Sequence, residues 1–238
     1  PMRRQYAGAK IDRLTSSWTT TQQSINKDLR TGGKVLRARA RDLTLNNDYA
    51  RKYMQMVVSN VVGSHGIRLQ VKSKTVKGKL NTKANRQTEQ GWREWSNARN
   101  CAWDSRLSFV EMQRLFIETA ARDGEVLIRK IKDSNSPFGF QIQFLEADHL
   151  DENKNDVYKA TGNRIKMGVE VDKYDKPVAY HLYKDHPYDR TYASQNQHIR
   201  VPADEIIHAY LPTRAEQTRG VSLIATSMAN VKMLNGYL

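Results

Sequence analysis

Three arginines at alternate positions, Arg37, Arg39 and Arg41, stand in the run Leu36-Arg-Ala-Arg-Ala-Arg-Asp42-Leu43. On a helix, at ~100° per residue, they fan across a broad arc. Guanidinium groups so placed can contact successive phosphates without reading bases. They can equally pair with acidic neighbours, the more frequent fate of helix arginines. The stretch Asp148-His149-Leu150-Asp151-Glu152 offers the oxygen donors that a hard cation takes. A loop after a strand needs acidic and turn-forming residues in any case, so no metal is assigned to it. Glu170, Asp172 and Lys173 have the residue types of a metal-dependent nuclease centre. Lys173 falls in the turn beyond the strand, however, and no upstream Asp partner is identifiable. His208 sits in an apolar run, where a hydrogen-bonded structural role is expected. Arg214, Gln217 and Arg219 lie in a polar loop. Arg219 can bond loop carbonyls or grip a neighbouring chain's carboxylate with two parallel hydrogen bonds. Gly32-Gly33-Lys34 lacks the strand and spacing of a phosphate loop. One cysteine and scattered histidines give no zinc pattern. No catalytic residue and no cofactor is assigned.

The charge is unevenly distributed. The chain of 238 residues carries a net +14. Residues 1–110 hold 22 Lys and Arg against 7 Asp and Glu, and the rest is nearly neutral. A polyanionic partner for the first half is one reading; a solvated basic surface, or one matching an acidic protein, is the other. The length suffices for one large domain or two small ones. No apolar run approaches the ~20 residues of a membrane span. The lone Cys101 excludes an internal disulfide framework and reads as a buried thiol.

The elements that position these residues can be read in order. Residues 1–28 read as an arm: Thr15 to Ser24 is mostly Ser and Thr around Trp18, which has no apolar period to fold against. Trp18 is a candidate anchor onto a neighbouring subunit. Leu29, Leu36, Ala40 and Leu43 recur at helical spacing. Asn46 or Asn47 caps a second helix, whose stripe of Tyr49, Tyr53, Met54, Val57, Val58 and Val61 reads as core, with Gly63 ending it. Ile67–Val71 alternates like a strand, and a lysine-rich loop follows. Trp92 and Trp95 share a helix face and read as a packing ridge. Ser108 and Glu111 form a capping box for a helix ending at Gly124. Hairpins are expected at 125–131 with 138–145, and at 165–171 with 177–183 across Tyr174-Asp175-Lys176. Gly124 and Gly220 are both assigned positive φ. Ser222 reads as the N-cap of a helix striped by Ile224, Met228, Val231, Leu234 and Leu238, as if cut from a longer polypeptide. The fold class is therefore α+β, helices packed with antiparallel hairpins.

Four stretches in collinear order resemble one family. They are Leu36-Arg-Ala-Arg-Ala-Arg-Asp-Leu43 with Asn46-Asn-Asp-Tyr-Ala50 and Val61-Val-Gly63; Asp123-Gly-Glu-Val126 after an amphipathic helix; Ala203-Asp-Glu-Ile-Ile-His208; and Arg214-x-x-Gln217-x-Arg219-Gly-Val-Ser222 before an apolar helix. This order is similar to the lambda-like portal proteins of tailed bacteriophages, from about Leu29 onward. The resemblance implies a wing-like domain over 29–220 and the start of a stem-like helix over 221–238, truncated. It implies a homo-oligomeric ring, a dodecamer, at the capsid vertex of the virion, assembled in the host cytoplasm. Duplex DNA is packaged and ejected through such a ring. The implied partners are the terminase, the major capsid or scaffold protein and a head–tail connector protein, with no membrane and no bond chemistry. Arg37, Arg39 and Arg41 are then candidates for nucleic-acid contact, and Trp18, Arg214, Gln217 and Arg219 for subunit contact. A nuclease-like DNA-processing enzyme or a plain nucleic-acid-binding module is the alternative.

Overall fold

The computed structural model describes residues 6–132, 135–189 and 197–234. Helix α1 spans Ile25–Asn46 and opens on Ser24, whose side chain accepts from the Lys27 amide. Asn47 closes α1 and opens α2 (Asp48–Val62), its side chain accepting from the Ala50 amide at 2.8 Å. This dual role turns the chain within one residue, so α1 and α2 pack side by side. After α2, Gly63 adopts φ 71°. Helices α3 (Thr82–Trp95) and α4 (Ala98–Cys101) precede α5 (Phe109–Asp123). Both halves of the Ser108/Glu111 capping box form at the start of α5, and Gly124 ends it in the left-handed region at φ 91°.

The strands form two antiparallel sheets. One has the order β2-β1-β8, from Phe140–Leu145, Glu125–Lys132 and Ile206–Tyr210. The other runs β3 (Asp156–Tyr158), β4 (Asn163–Lys166), β5 (Val169–Val171), β6 (Pro177–Tyr183) and β7 (His198–Pro202) in sequential order. β1 alternates between two cores, as its period of two dictates. Val126 and Ile128 face a helical core with Trp95, Cys101, Met112 and Ile142. Leu127 faces a core with Leu150, Val169, Tyr180, Leu182 and Ile206. A third core joins α1, α2 and α5 to Ile224 and Met228 of the last segment, where α6 (Met228–Leu234) begins. The α+β class stands.

The Trp ridge forms as expected. Trp92 and Trp95 lie 5.0 Å apart, Phe109 closes over both, and the Trp95 indole donates to the Phe140 carbonyl at 3.0 Å. Cys101 is buried, and burial pushes its thiol pKa up.

Five details depart from the sequence reading. The inner face of α2 is Ala50, Met54 and Val62, whereas Tyr49, Tyr53 and Val61 are exposed. The contact line with α1 and α5 lies to one side of the expected stripe. Ile67–Val71 joins no sheet, because side chains satisfy its backbone instead: Gln113 bonds both the amide and the carbonyl of Ile67. Residues 165–171 are not one strand but turn at Met167 (φ 48°) and Gly168 (φ 85°), the pairing of positive φ values that a tight hairpin requires. Gly220 has no positive φ; its constraint is close approach, described below. Ser222 does not cap an α-helix. Its hydroxyl lies 3.4 Å from the Ile224 amide and 3.4 Å from the Ala121 carbonyl, and turns run from Leu223 to the start of α6. Of the expected apolar stripe, Leu238 lies outside the described residues.

Candidate functional site

Among the described residues, a dense polar arrangement lies where α1, the end of α5, the start of β1, the 146–152 loop, β8 and the 211–220 loop meet. Glu125 is its centre. As the residue after Gly124 it shares the face of β1 that carries Leu127, and it is 0% exposed. Arg219 grips it with Nε at 2.9 Å and Nη2 at 2.5 Å, a bidentate pair of the kind that planar guanidinium favours. His208, on the neighbouring strand β8, bonds the carboxylate at 2.9 Å, and the Gly220 amide donates at 3.0 Å. Arg37 adds a second guanidinium contact at 3.2 Å.

The remaining donors of both arginines are also satisfied. Arg219 reaches the carbonyls of Ala147, Leu150 and Met167. Arg37 pairs with Asp148 at 3.2 Å and with Glu152. One turn along α1, Arg41 bridges Asp148 at 2.6 Å and Asp123 at 2.8 Å, and Arg122 reaches Asp123 at 2.8 Å. Burial alone would raise the Glu125 pKa. The charge of Arg219 and the hydrogen bonds from His208 and Arg219 outweigh that and hold it well below the usual carboxylate range. Asp123 is likewise burdened by burial but held low by Arg122 and Arg41.

This placement corrects the reading of the arginine fan. Arg37 is 4% exposed and faces inward, so it cannot meet a phosphate. Arg41 is committed to carboxylates of its own chain. Arg39 alone of the three is exposed and without an ion-pair partner among the described residues. A helix sends residues two apart to nearly opposite sides, which is why Arg39 parts from its neighbours. Replacing Arg37 by Gln is expected to cost about 2 kcal/mol, the scale of a lost charged hydrogen-bond set. Arg39→Gln should stay within about 0.5 kcal/mol, as at other free surface positions. Urea midpoints of the two variants check this.

The subunit-contact candidates also divide. Arg219 does grip a carboxylate, but its own chain's. Gln217 is buried, its Oε1 accepting from the Thr213 amide at 2.8 Å and its amide donating to the Arg219 carbonyl at 2.7 Å. It shapes the loop from inside. Arg214 reaches the Gln23 carbonyl at 3.1 Å and Asp28 at 3.7 Å, tying the loop to the start of α1. Trp18 is 65% exposed in an arm whose Tyr6, Ile11 and Leu14 are exposed too.

The metal and nuclease candidates do not assemble. Asp148 and Glu152 serve Arg37, while Asp151 receives the His198 ring. Glu146, Asp148 and His186 come together, but Arg41 already stands between the first two and supplies the positive charge there. Glu170 is buried against Asn163, His181 and Arg200, with the Arg200 hydrogen bond drawing its pKa down to about 2. Asp172 instead accepts the Tyr174 and Lys176 amides of the turn. The sequence reading missed Glu125 and Asp123 as the acidic half of the network. A Glu opening the fully buried run Glu125-Val-Leu-Ile after a helix-ending glycine was the available signal.

The organisation of this centre ties together Asp123-Gly-Glu125, the 36–43 arginines and the Arg214-x-x-Gln-x-Arg-Gly loop, the segments singled out in the sequence. The family described as phage portal protein, lambda family, matches residues 12–238. The chain belongs to the lambda family of phage portal proteins. A probable portal protein of Halomonas phage phiHAP-1 is 36% identical over 220 residues, which cover 91% of this chain and 42% of that protein. Portal protein B of Escherichia phage lambda and the portal protein of Escherichia phage N15 are each 25% identical, over 231 and 229 residues, covering 92% of this chain and 42% of their own length. The chain thus spans less than half the length of these portal relatives. No described helix is long and apolar enough to cross a membrane.

Proposed function

We propose that this chain is the wing-like part of a portal protein: a structural ring subunit at a capsid vertex through which duplex DNA is packaged and released. The family match over residues 12–238 carries this reading. The polar centre fits a structural role, since its arginines and carboxylates saturate one another and leave no nucleophile or open cation site there. Its mechanical part is to lock the 211–220 loop, and with it the approach to α6, against α1 and β1. A subunit of a DNA channel needs such stiffness, because load from moving DNA must pass between the body and the helix that follows it. The terminase, the capsid or scaffold protein and the head–tail connector are the partners this role calls for, in the virion and during assembly.

Ring closure needs heterologous contacts, one face of each subunit meeting a different face of the next. The exposed arm with Trp18 is the segment we assign to that contact, since nothing among the described residues covers its apolar side chains. The full-length protein is expected to run as a closed ring by light scattering at micromolar concentration, with a mass near twelve subunits by the family analogy. Trp18→Ala should shift it toward smaller species. A monomer or an isologous dimer would overturn the portal reading.

A further inference from the structure

Between Asp48 and Glu89 the sequence places nine Lys and Arg and no acidic residue. The structure concentrates much of this charge on one ordered feature. Lys72, Lys74, Lys77 and Lys79 lie on a segment that folds back on itself: Lys74 bridges to Leu80, the Thr75 amide donates to Lys79 at 2.7 Å, and the Asn81 amide donates to Ser73 at 3.0 Å. This hairpin is clamped along α3. Asn85 accepts from the Ser73 amide at 3.1 Å and donates back to its carbonyl at 3.3 Å, while Glu89 accepts from the Val71 amide at 3.0 Å. From α3 itself, Lys83 and Arg86 stand on one face, one turn apart, and both are exposed.

None of these six side-chain cations has a hydrogen-bond or ion-pair partner among the described residues, and the two acids of α3 accept hydrogen bonds from other groups. Glu89 holds Val71, and Glu94 holds Gln90. Other exposed cations are paired with an acid, as where Arg164 and Lys166 meet Asp175, or lack an ion-pair partner among the described residues, as Arg39 does. Lys83 stands in the first turn of α3, a turn without any acid, where the helix dipole disfavours a cation. Like charge held together on a rigid scaffold repels itself, and an anion relieves that cost.

The chemistry of the surface narrows the anion. Lysine is a hydrated point charge suited to backbone phosphate rather than to planar base recognition. The aromatic residues of α3, Trp92 and Trp95, are turned into the core against Phe109, so no ring is offered for stacking unpaired bases. We infer that the Lys72–Lys79 hairpin and the adjoining Lys83 and Arg86 face of α3 form a sequence-independent contact surface for the phosphate backbone of duplex DNA. This site deepens the portal reading by naming where the subunit meets DNA, and it takes the identity of the polyanion from that reading.

The test is a salt titration of binding to a mixed-sequence duplex, followed by fluorescence anisotropy on the full-length protein. Lys72, Lys74, Lys77 and Lys79 are replaced together by Gln, and a control variant loses the same charge at Lys27, Arg30, Lys132 and Lys159. The hairpin variant should lose on the order of tenfold or more in affinity at low salt and flatten the slope by ~0.9 per lost contact, with the control near wild type. Equal losses in both variants would overturn the site and leave only net charge. Tighter binding of poly-glutamate than of duplex would overturn it in favour of an acidic protein partner. Ring mass is measured on the same samples. Rings without lysine-dependent DNA binding overturn this surface alone, and lysine-dependent binding without rings overturns the portal reading alone.

Discussion

Gly220→Ala and Gly124→Ala are each expected to destabilise the fold severely, by about 3 kcal/mol or more, through steric overlap that the surroundings cannot relax. The two glycines face one another where the end of α5 passes the loop that leads to α6. A Cβ on Gly220 would lie 2.1 Å from the Gly124 carbonyl oxygen and 2.6 Å from its carbon. A Cβ on Gly124 would lie 2.2 Å from the Val221 carbonyl carbon, and its φ of 91° adds strain of ~1–3 kcal/mol for any other residue. The obstructing atoms are backbone, so no rotamer change relieves them. The close approach also sets two bonds in place: the Leu223 amide donates to the Ala121 carbonyl at 2.9 Å, and the Gly220 amide reaches Glu125. Gly63→Ala serves as a contrast, because its Cβ would meet open space and only the positive φ is violated. Chemical denaturation of the three variants decides the matter. A Gly220 variant as stable as wild type would mean that the loop can lift away from α5.

Glu125→Gln is the second large effect, expected at about 3–5 kcal/mol, the cost of breaking a buried ion pair by removing one partner. The carboxamide keeps the shape but leaves Arg219 and Arg37 buried against a neutral group. Removing both charges should hurt less than the sum. A Glu125→Gln, Arg219→Gln double variant is expected to show favourable coupling of ~1–3 kcal/mol in a double-mutant cycle. The same carboxylate governs acid stability. Glu125, Asp123 and Glu170 all have folded pKa values below their ordinary ones of 4.5, 3.8 and 4.5. The unfolded chain therefore binds protons first as pH falls, and folding stability declines with acidification. The stabilisation is complete at neutral pH and is lost as pH drops through about 4.5 toward 2. Glu125→Gln should flatten that decline, measured as the midpoint of urea unfolding against pH. An unchanged pH profile would show that the Glu125 carboxyl binds protons equally in the folded and unfolded chain, which would overturn the stabilising role of its ion pairs.

Much of this was legible in the linear sequence wherever the determinant is local. The Ser108/Glu111 box, an Asn cap at 46 or 47 and the φ of Gly124 depend on residues within a turn of each other. So does the ridge of Trp92 and Trp95, because helix geometry places them together whatever surrounds the helix. The family order was legible as well, being itself a sequence property. What the sequence could not decide was which side of a helix the rest of the chain would cover. The stripe of α2 was misplaced by one contact line, leaving Tyr49 and Tyr53 outside, because α1 and α5 choose the buried face. Arg37, Arg39 and Arg41 look alike in sequence, yet only tertiary packing brings Asp123, Glu125 and Asp148 to the first and third and leaves the second in solvent. Charge pairing across 82 to 111 residues has no local signature. Gly220 makes the same point from the other side. Its need for a missing side chain arises from the backbone of Gly124, a residue that only the closed fold puts beside it.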